Sequence, residues 1–407
     1  MPYSPSRSSR PFASRPAGPQ FNRPYQFNRS ARPRFVNPGL KIDVNRFVNR
    51  VTTETTALPY QAEHRFSDFA LDQRLKQNII TKGFETPTPI QDQAIPHLLQ
   101  NRDVIGIANT GTGKTAAFLI PLINKLLLEP QTKVLIMVPT RELALQIQEE
   151  LFTFARGLGV RSVLCIGGTN IRQQMSLLRQ RPSFVIGTPG RLKDLLERNA
   201  FNLSAFNAVV LDEADRMLDM GFIDDMRFLL GLLPKARQSL MFSATFSPQI
   251  ELLTREFQTD PIRISVQTRA TAASVDQDIV RVSESQKLDT LHDMLIKPDF
   301  NKVLIFGQTK HGVERLVDSL VERGFKAASI HGNKTQSARQ LALRRFKNHE
   351  VHILVATDVA ARGLDIPEVS HVINFDIPSS YEDYIHRIGR TGRAGRVGKA
   401  LTFVSHQ

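Results

Sequence analysis

The sequence predicts an α/β protein of two tandem domains, each a parallel sheet flanked by helices, behind a disordered basic N-terminal tail. Three observations carry this. Short apolar runs alternate with helical stretches from about Phe66 to Val404, the alternation breaks once near Gln267, and the first 35 residues lack it. Strand–helix–strand units bury a sheet on both faces, so their strands read as continuous Val/Ile/Leu runs. A length of 407 residues is comfortable for two such domains, and 41% apolar residues supply two ordinary cores.

The tail is assigned to residues 1–60. Met1 to Phe35 holds seven arginines, no lysine and no acid among many Pro, Ser and Asn, with Tyr3, Phe12, Phe21, Tyr25, Phe27 and Phe35 between them. Such a segment cannot bury enough surface to fold. It reads as a solubilising leader or, better, as a loose contact to phosphates and unstacked bases. The first domain is placed at 61–266, with helices near Asp72–Lys82, Lys114–Leu128 and Arg141–Leu158. Its strands are expected at Asp103–Ile107, Lys133–Val138, Ser162–Ile166, Phe184–Gly187, Ala208–Leu211 and Gln238–Phe242. The small, polar stretch QTRATAAS marks a linker over 267–275. The second domain, 276–407, is expected to carry strands near Asp278–Val282, Lys302–Phe306, Ala327–Ile330, His352–Ala356, His371–Phe375 and Ala400–Val404. With its last strand close to Gln407, the chain is expected to lack a C-terminal specificity domain, leaving target choice to the tail or a partner.

A net charge of +14 and a pI near 10.1 point to a polyanionic partner, with a merely lysine-rich surface as the bland alternative. No run approaches the roughly 18 apolar residues of a membrane span, and no hydrophobic signal core is present, so a cytoplasmic protein without a membrane partner is expected. The lone Cys165, in VLCIGG, excludes an internal disulfide or cysteine-cluster metal site and reads as a buried strand residue without chemistry.

The chemistry begins at ANTGTGKT, Ala108 to Thr115, between a predicted strand and a predicted helix. Glycines let backbone N–H groups approach phosphate, Lys114 offers a point charge to the β and γ groups, and Thr115 offers a hydroxyl to Mg²⁺. The first position is Ala108 where the strict pattern has Gly; the bland reading is a glycine turn that caps a helix. Downstream, AVVLDEAD, Ala208 to Asp215, ends a buried strand at two carboxylates. One of Asp212 and Glu213 can hold Mg²⁺ and the other can orient the attacking water. A GTPase is disfavoured because GNKTQ, Gly332 to Gln336, lacks the aspartate of a guanine reader. Upstream, GFETPTPIQ offers a flat ring, Phe84, and an amide, Gln91, that could pair with adenine. On chemistry alone these residues could equally be a capped turn and a helix start.

The ordered set of segments resembles a DEAD-box RNA helicase of the bacterial type over Phe66 to Gln407. Beside those above, the matches are Phe66, PTRELALQ (Pro139–Gln146), Gly167 and Gly168, TPGR (Thr188–Arg191), SAT (Ser243–Thr245) and VLIFGQTK (Val303–Lys310). Gln336 with Arg339, ATDVAARGLD (Ala356–Asp365) and HRIGRTGR (His386–Arg393) complete it. The resemblance implies two RecA-like domains using ATP and Mg²⁺. It implies that Phe84 stacks on adenine, that Gln91 reads its edge, and that Ala108, Asn109, Thr110, Gly111, Thr112, Gly113 and Asp365 line the nucleotide with Lys114 and Thr115. Thr115 and Asp212 would hold the metal, and Glu213 would handle the water. Arg390 and Arg393 would act as arginine fingers from the second domain, in place of a merely RNA-facing basic face, leaving Arg387 and Arg396 unassigned. Ser243, Thr245 and His386, the last as a neutral link, would couple hydrolysis to strand separation. Thr140, Arg141, Gly168, Thr188 and Arg191 of the first domain, with Gln308, Arg339 and Thr357 of the second, would touch the RNA backbone. The expected activity is ATP-dependent local unwinding of RNA. An ATP-gated clamp or annealing chaperone is the rival and a DNA translocase a weaker third. A monomer with ribosomal or RNA-decay partners is expected.

Overall fold

The computed structural model describes residues 47–49, 60–109, 111–266, 275–361, 366, 368–392 and 398–405. Two parallel sheets organise them. The first comprises β1 (Val104–Ala108), β2 (Val134–Met137), β3 (Ser162–Cys165), β4 (Phe184–Gly187), β5 (Ala208–Leu211), β6 (Gln238–Ser243) and β7 (Ile262–Val266), in the order β3-β4-β2-β5-β6-β1-β7. Alternate residues feed opposite faces. Val134 and Ile136 join one apolar cluster while Leu135 and Met137 join the other, and β5 divides likewise. That double burial is why the strands carry no polar alternation.

The second sheet comprises β8 (Val275–Arg281), β9 (Val303–Phe306), β10 (Ala327–Ile330), β11 (Ile353–Ala356), β12 (His371–Asn374) and β13 (Gly398–Val404), in the order β10-β11-β9-β12-β13-β8. Leu304 and Phe306 pack into one cluster and Val303 and Ile305 into the other. These are the two RecA-like lobes expected. Because all the pairings within each sheet are parallel, the loops that follow β1, β2, β4, β5 and β6 gather at one edge, where such sheets bind ligands.

Several boundaries differ from the sequence reading. β7 went unpredicted because it is a half-exposed edge strand whose five residues include only one that is buried. The helix from Arg141 ends at Phe154, four residues early, ahead of Gly157 and Gly159 in left-handed conformations (φ 74° and 72°) that cannot continue it. β8 begins at Val275, inside the expected linker, and residues 267–274 lie outside the described ones. The tail assignment to 1–60 also needs correcting. Most of it lies outside the described residues, but Phe47 is fully buried in the second lobe, and Asn49 forms an antiparallel bridge to Gln277 of β8. A large ring excluded from water contributes even where its neighbours in sequence are polar.

Candidate active site

β1 delivers the chain to the phosphate loop, and Gly113, at φ 92°, caps the helix Lys114–Leu128. Its positive φ and the closeness of the Gln91 amide and the Thr88 hydroxyl leave no place for a side chain there. Lys114 is buried, and its Nζ donates to Ala108 O at 2.8 Å across the loop; Thr112 Oγ1 donates to Asn109 O at 2.8 Å. Gly111 also has positive φ, Thr115 is half-buried one residue into the helix, and Thr110 lies outside the described residues.

Gln91 is bound at both ends. Its Oε1 accepts from Thr88 N at 2.9 Å, closing a capping box on the helix Pro89–Leu99, and its Nε2 donates to Gly113 O at 3.0 Å. The capped helix start is therefore present, and through it Gln91 ties that helix to the phosphate loop. Phe84 sits half-buried between Phe66 and Phe154, with ring centroids 5.7 Å from each.

β5 ends at the carboxylates. Asp212 is only 2% exposed and Glu213 5%, with Glu213 held at φ 53°, a strained left-handed conformation for a side chain of this size. Burial pushes Asp212 up to about 7, against the pull of the Lys114 ammonium. Arg216 Nη1 lies 3.2 Å from Glu213 Oε2, both buried. Asp215 Oδ2 accepts from Ala244 N and Thr245 N at 2.9 Å and from Thr245 Oγ1 at 3.2 Å. Despite its burial, Asp215 stays below the usual carboxylate range, helped by Lys114 and the Thr245 N–H. The first-lobe DEAD and SAT segments are thus one hydrogen-bonded unit, with Ser243 fully buried at the end of β6. Among the described residues no group of three His, Cys, Asp or Glu could hold a metal by itself. Magnesium does not need one, since it takes one or two carboxylates and completes its shell with phosphates and water.

The second lobe faces this unit. A cleft of about 550 Å³ is lined by Asn109, Asp215, Thr245, Phe246, Ile385 and His386 among others. Burial, with Arg216 adding to it, lowers His386 to about 4, so its ring is neutral at pH 7. Arg390, buried to 4% exposure, lines a small cavity together with Arg216 and His386, and its Nε donates to His386 O at 3.4 Å. Arg387, which sequence reasoning left unassigned, is a clamp within the lobe. Its guanidinium grips Asp358 at 2.6 and 2.7 Å and donates to Asn374 Oδ1 and Asp376 O. Arg393 and Asp365 lie outside the described residues.

The expected RNA residues divide. Thr140 caps the helix Arg141–Phe154 by accepting from Leu143 N, and the Arg141 guanidinium lies over Gly167 and Gly168. Thr188 precedes the helix Pro189–Glu197, and Arg191 donates to Gln174 Oε1 at 3.2 Å. Gln308 is exposed and its N–H donates to Asp376, while Thr357 is buried after β11. The Arg339 guanidinium pairs with Glu142 Oε2 of the first lobe at 3.0 Å, both largely buried. Gln336 Nε2 also reaches Glu142, at 3.3 Å. Sequence reasoning missed Glu142, Arg216, Asp215 and Asp358. Each lies inside a quoted segment or beside one, but its partner sits elsewhere or its role is to hold a neighbour.

A phosphate loop at the end of one strand, an acidic pair at the end of another and a basic helix from a second sheet define a two-lobed P-loop nucleoside triphosphatase. Comparison with known proteins then specifies which. The chain belongs to the DEAD/DEAH box helicase family: that domain matches residues 88–253, and a helicase conserved C-terminal domain matches 286–395. It is 46% identical over 343 residues to the ATP-dependent RNA helicase CshA of Limosilactobacillus reuteri, covering 84% of this chain and 69% of that protein. The DEAD-box ATP-dependent RNA helicase CshA of Bacillus subtilis is also 46% identical, over 342 residues, with the same coverage. Among solved structures, Mss116p bound to ssRNA and AMP-PNP matches with a TM-score of 0.78 at 32% identity, over 88% of this chain and 77% of that one. S. cerevisiae Dbp5 bound to RNA and ADP BeF3 matches with a TM-score of 0.74 at 30% identity, over 84% of this chain and 90% of that one.

Proposed function

We propose that the chain is an ATP-dependent RNA helicase whose hydrolytic site is completed by lobe closure on RNA. The single observation that carries this is the shared interface, in which Asp215, Thr245 and Arg216 of one lobe meet His386 and Arg390 of the other. Phosphoryl transfer asks mainly for positioning and neutralised charge, and these residues divide that work between lobes. In this reading Lys114 and the loop N–H groups hold the β and γ phosphates. Thr115 and Asp212 would hold Mg²⁺, which would supply charge neutralisation. Glu213, steadied by Arg216, orients the attacking water and accepts its proton. Arg390, with Arg393, neutralises charge on the transferring group. His386, kept neutral, carries no charge into the site and links the helix Tyr381–Ile388 to the DEAD and SAT unit.

Phe84 and Gln91 fit adenine selection, with Gln91 doing so from the phosphate-loop cap it already holds. Arg141 over the Gly167–Gly168 turn, with Thr188, Arg191, Gln308, Arg339 and Thr357, suits contacts to an RNA backbone, and the pair Arg339 makes with Glu142 also joins the lobes. Because backbone contacts carry little sequence information, broad RNA binding with discrimination against DNA follows. All the groups invoked come from one chain, which suits a monomer. The test is Glu213→Gln: ATP and RNA still bind, while single-turnover hydrolysis and strand displacement fall by about a thousandfold or more. Robust hydrolysis by this variant removes Glu213 from the role.

A further inference from the structure

We infer that Phe47 is a positioning residue for ATP hydrolysis: it holds the helix Tyr381–Ile388, and with it Arg390. The Phe47 ring is fully buried, 4.3 Å from the Tyr384 ring. Tyr384 Oη donates to Gln277 Oε1 at 2.9 Å, with Phe47 O at 3.4 Å. Asn49 and Gln277 exchange both backbone hydrogen bonds, at 3.0 and 2.9 Å, on β8, the edge strand of the second sheet. Phe47, Gln277 and Tyr384 therefore form one buried knot. Tyr384 lies two residues before His386 and six before Arg390, on the helix that leads into both.

The Asp92 carboxylate accepts from Tyr60 Oη at 2.7 Å, from Glu63 N at 2.8 Å and from His64 N at 3.2 Å, and His64 Nδ1 lies 2.7 Å away. Asp92 adjoins Gln91, whose amide joins the helix cap to the phosphate loop. Held in place, the knot keeps the arginine helix at its angle before substrate arrives, which is pre-organisation rather than contact with ATP.

The inference rests on the reading that Arg390 acts in hydrolysis, and the experiment separates the two. Phe47→Ala and Phe47→Leu are made in the full chain and compared for RNA-stimulated kcat, KM for ATP, amide hydrogen exchange across Tyr381–Arg390 and melting temperature. Phe47→Ala is expected to lower kcat per folded molecule about tenfold, leave KM for ATP within about twofold and speed the exchange. Phe47→Leu, which refills most of the volume, restores most of the rate. Asn49→Pro, which removes one bridge hydrogen bond without touching the core, moves kcat in the same direction by less. Unchanged exchange across that helix, or a loss accounted for by unfolded molecules alone, overturns the inference. Arg390→Ala is assayed alongside. Normal turnover there removes Arg390 from hydrolysis, whereas the exchange rates support or overturn the positioning role of Phe47 on their own.

Discussion

Asp212 occupies a poor place for a charge, at the end of a buried strand, where the Lys114 ammonium and the Glu213 N–H only partly oppose its desolvation. Its folded-state value of about 7 stands above the ordinary 3.8, so the folded chain binds that proton more tightly than the unfolded one. The resulting penalty is absent below the unfolded value and complete above the folded one. Asp212→Asn is therefore expected to raise the melting temperature of the nucleotide-free protein at about pH 8, with the gain shrinking toward about pH 5, while abolishing hydrolysis. Thermal melts at the two pH values check it; an equal gain at both would contradict the burial argument. At Arg390 the expectation is kinetic. Arg390→Ala loses RNA-stimulated hydrolysis by about a thousandfold with ATP affinity within a few-fold, read by steady-state rates and nucleotide titration.

Between elements, the helix Arg141–Phe154 of the first lobe and the helix Gln336–Lys347 of the second meet through Glu142, Gln336 and Arg339. A largely buried ion pair between the lobes adds a preference for the state in which they meet, and removing one partner strands the other charge. Glu142→Gln is expected to raise the RNA concentration for half-maximal ATPase by about tenfold. Glu142→Arg combined with Arg339→Glu should recover part of that loss. A double-mutant cycle on this half-point measures the pair, and additive losses would mean that the two residues act separately. Arg387 works within one element set instead, binding Asp358, Asn374 and Asp376, so Arg387→Ala is expected to lower the stability of the second lobe as well as the rate.

At the scale of the molecule, two rigid sheets carry half a site each, so ATP and RNA are linked through the closed state. Each is expected to tighten the other by the same factor, and paired binding titrations test that equality. The basic segment before Phe47 adds positive charge to the chain. Deleting residues 1–40 is expected to weaken RNA binding and flatten its dependence on salt; unchanged affinity at low and moderate salt would assign the segment another role.

The two parallel sheets, the phosphate loop and the DEAD carboxylates were legible in the chain because each is local. A buried strand announces itself by four or five apolar residues, and a phosphate loop by glycine and lysine between a strand and a helix. β7 escaped because a half-exposed edge strand lacks that signature. What only the tertiary structure decided are the partnerships between distant residues. Arg339 meets Glu142 of the other lobe, Arg390 shares a cavity with Arg216, and Phe47 finds Tyr384 across 337 positions. No periodicity records such pairs, since burial and charge neutralisation at these sites depend on how two sheets pack rather than on the order of residues within either.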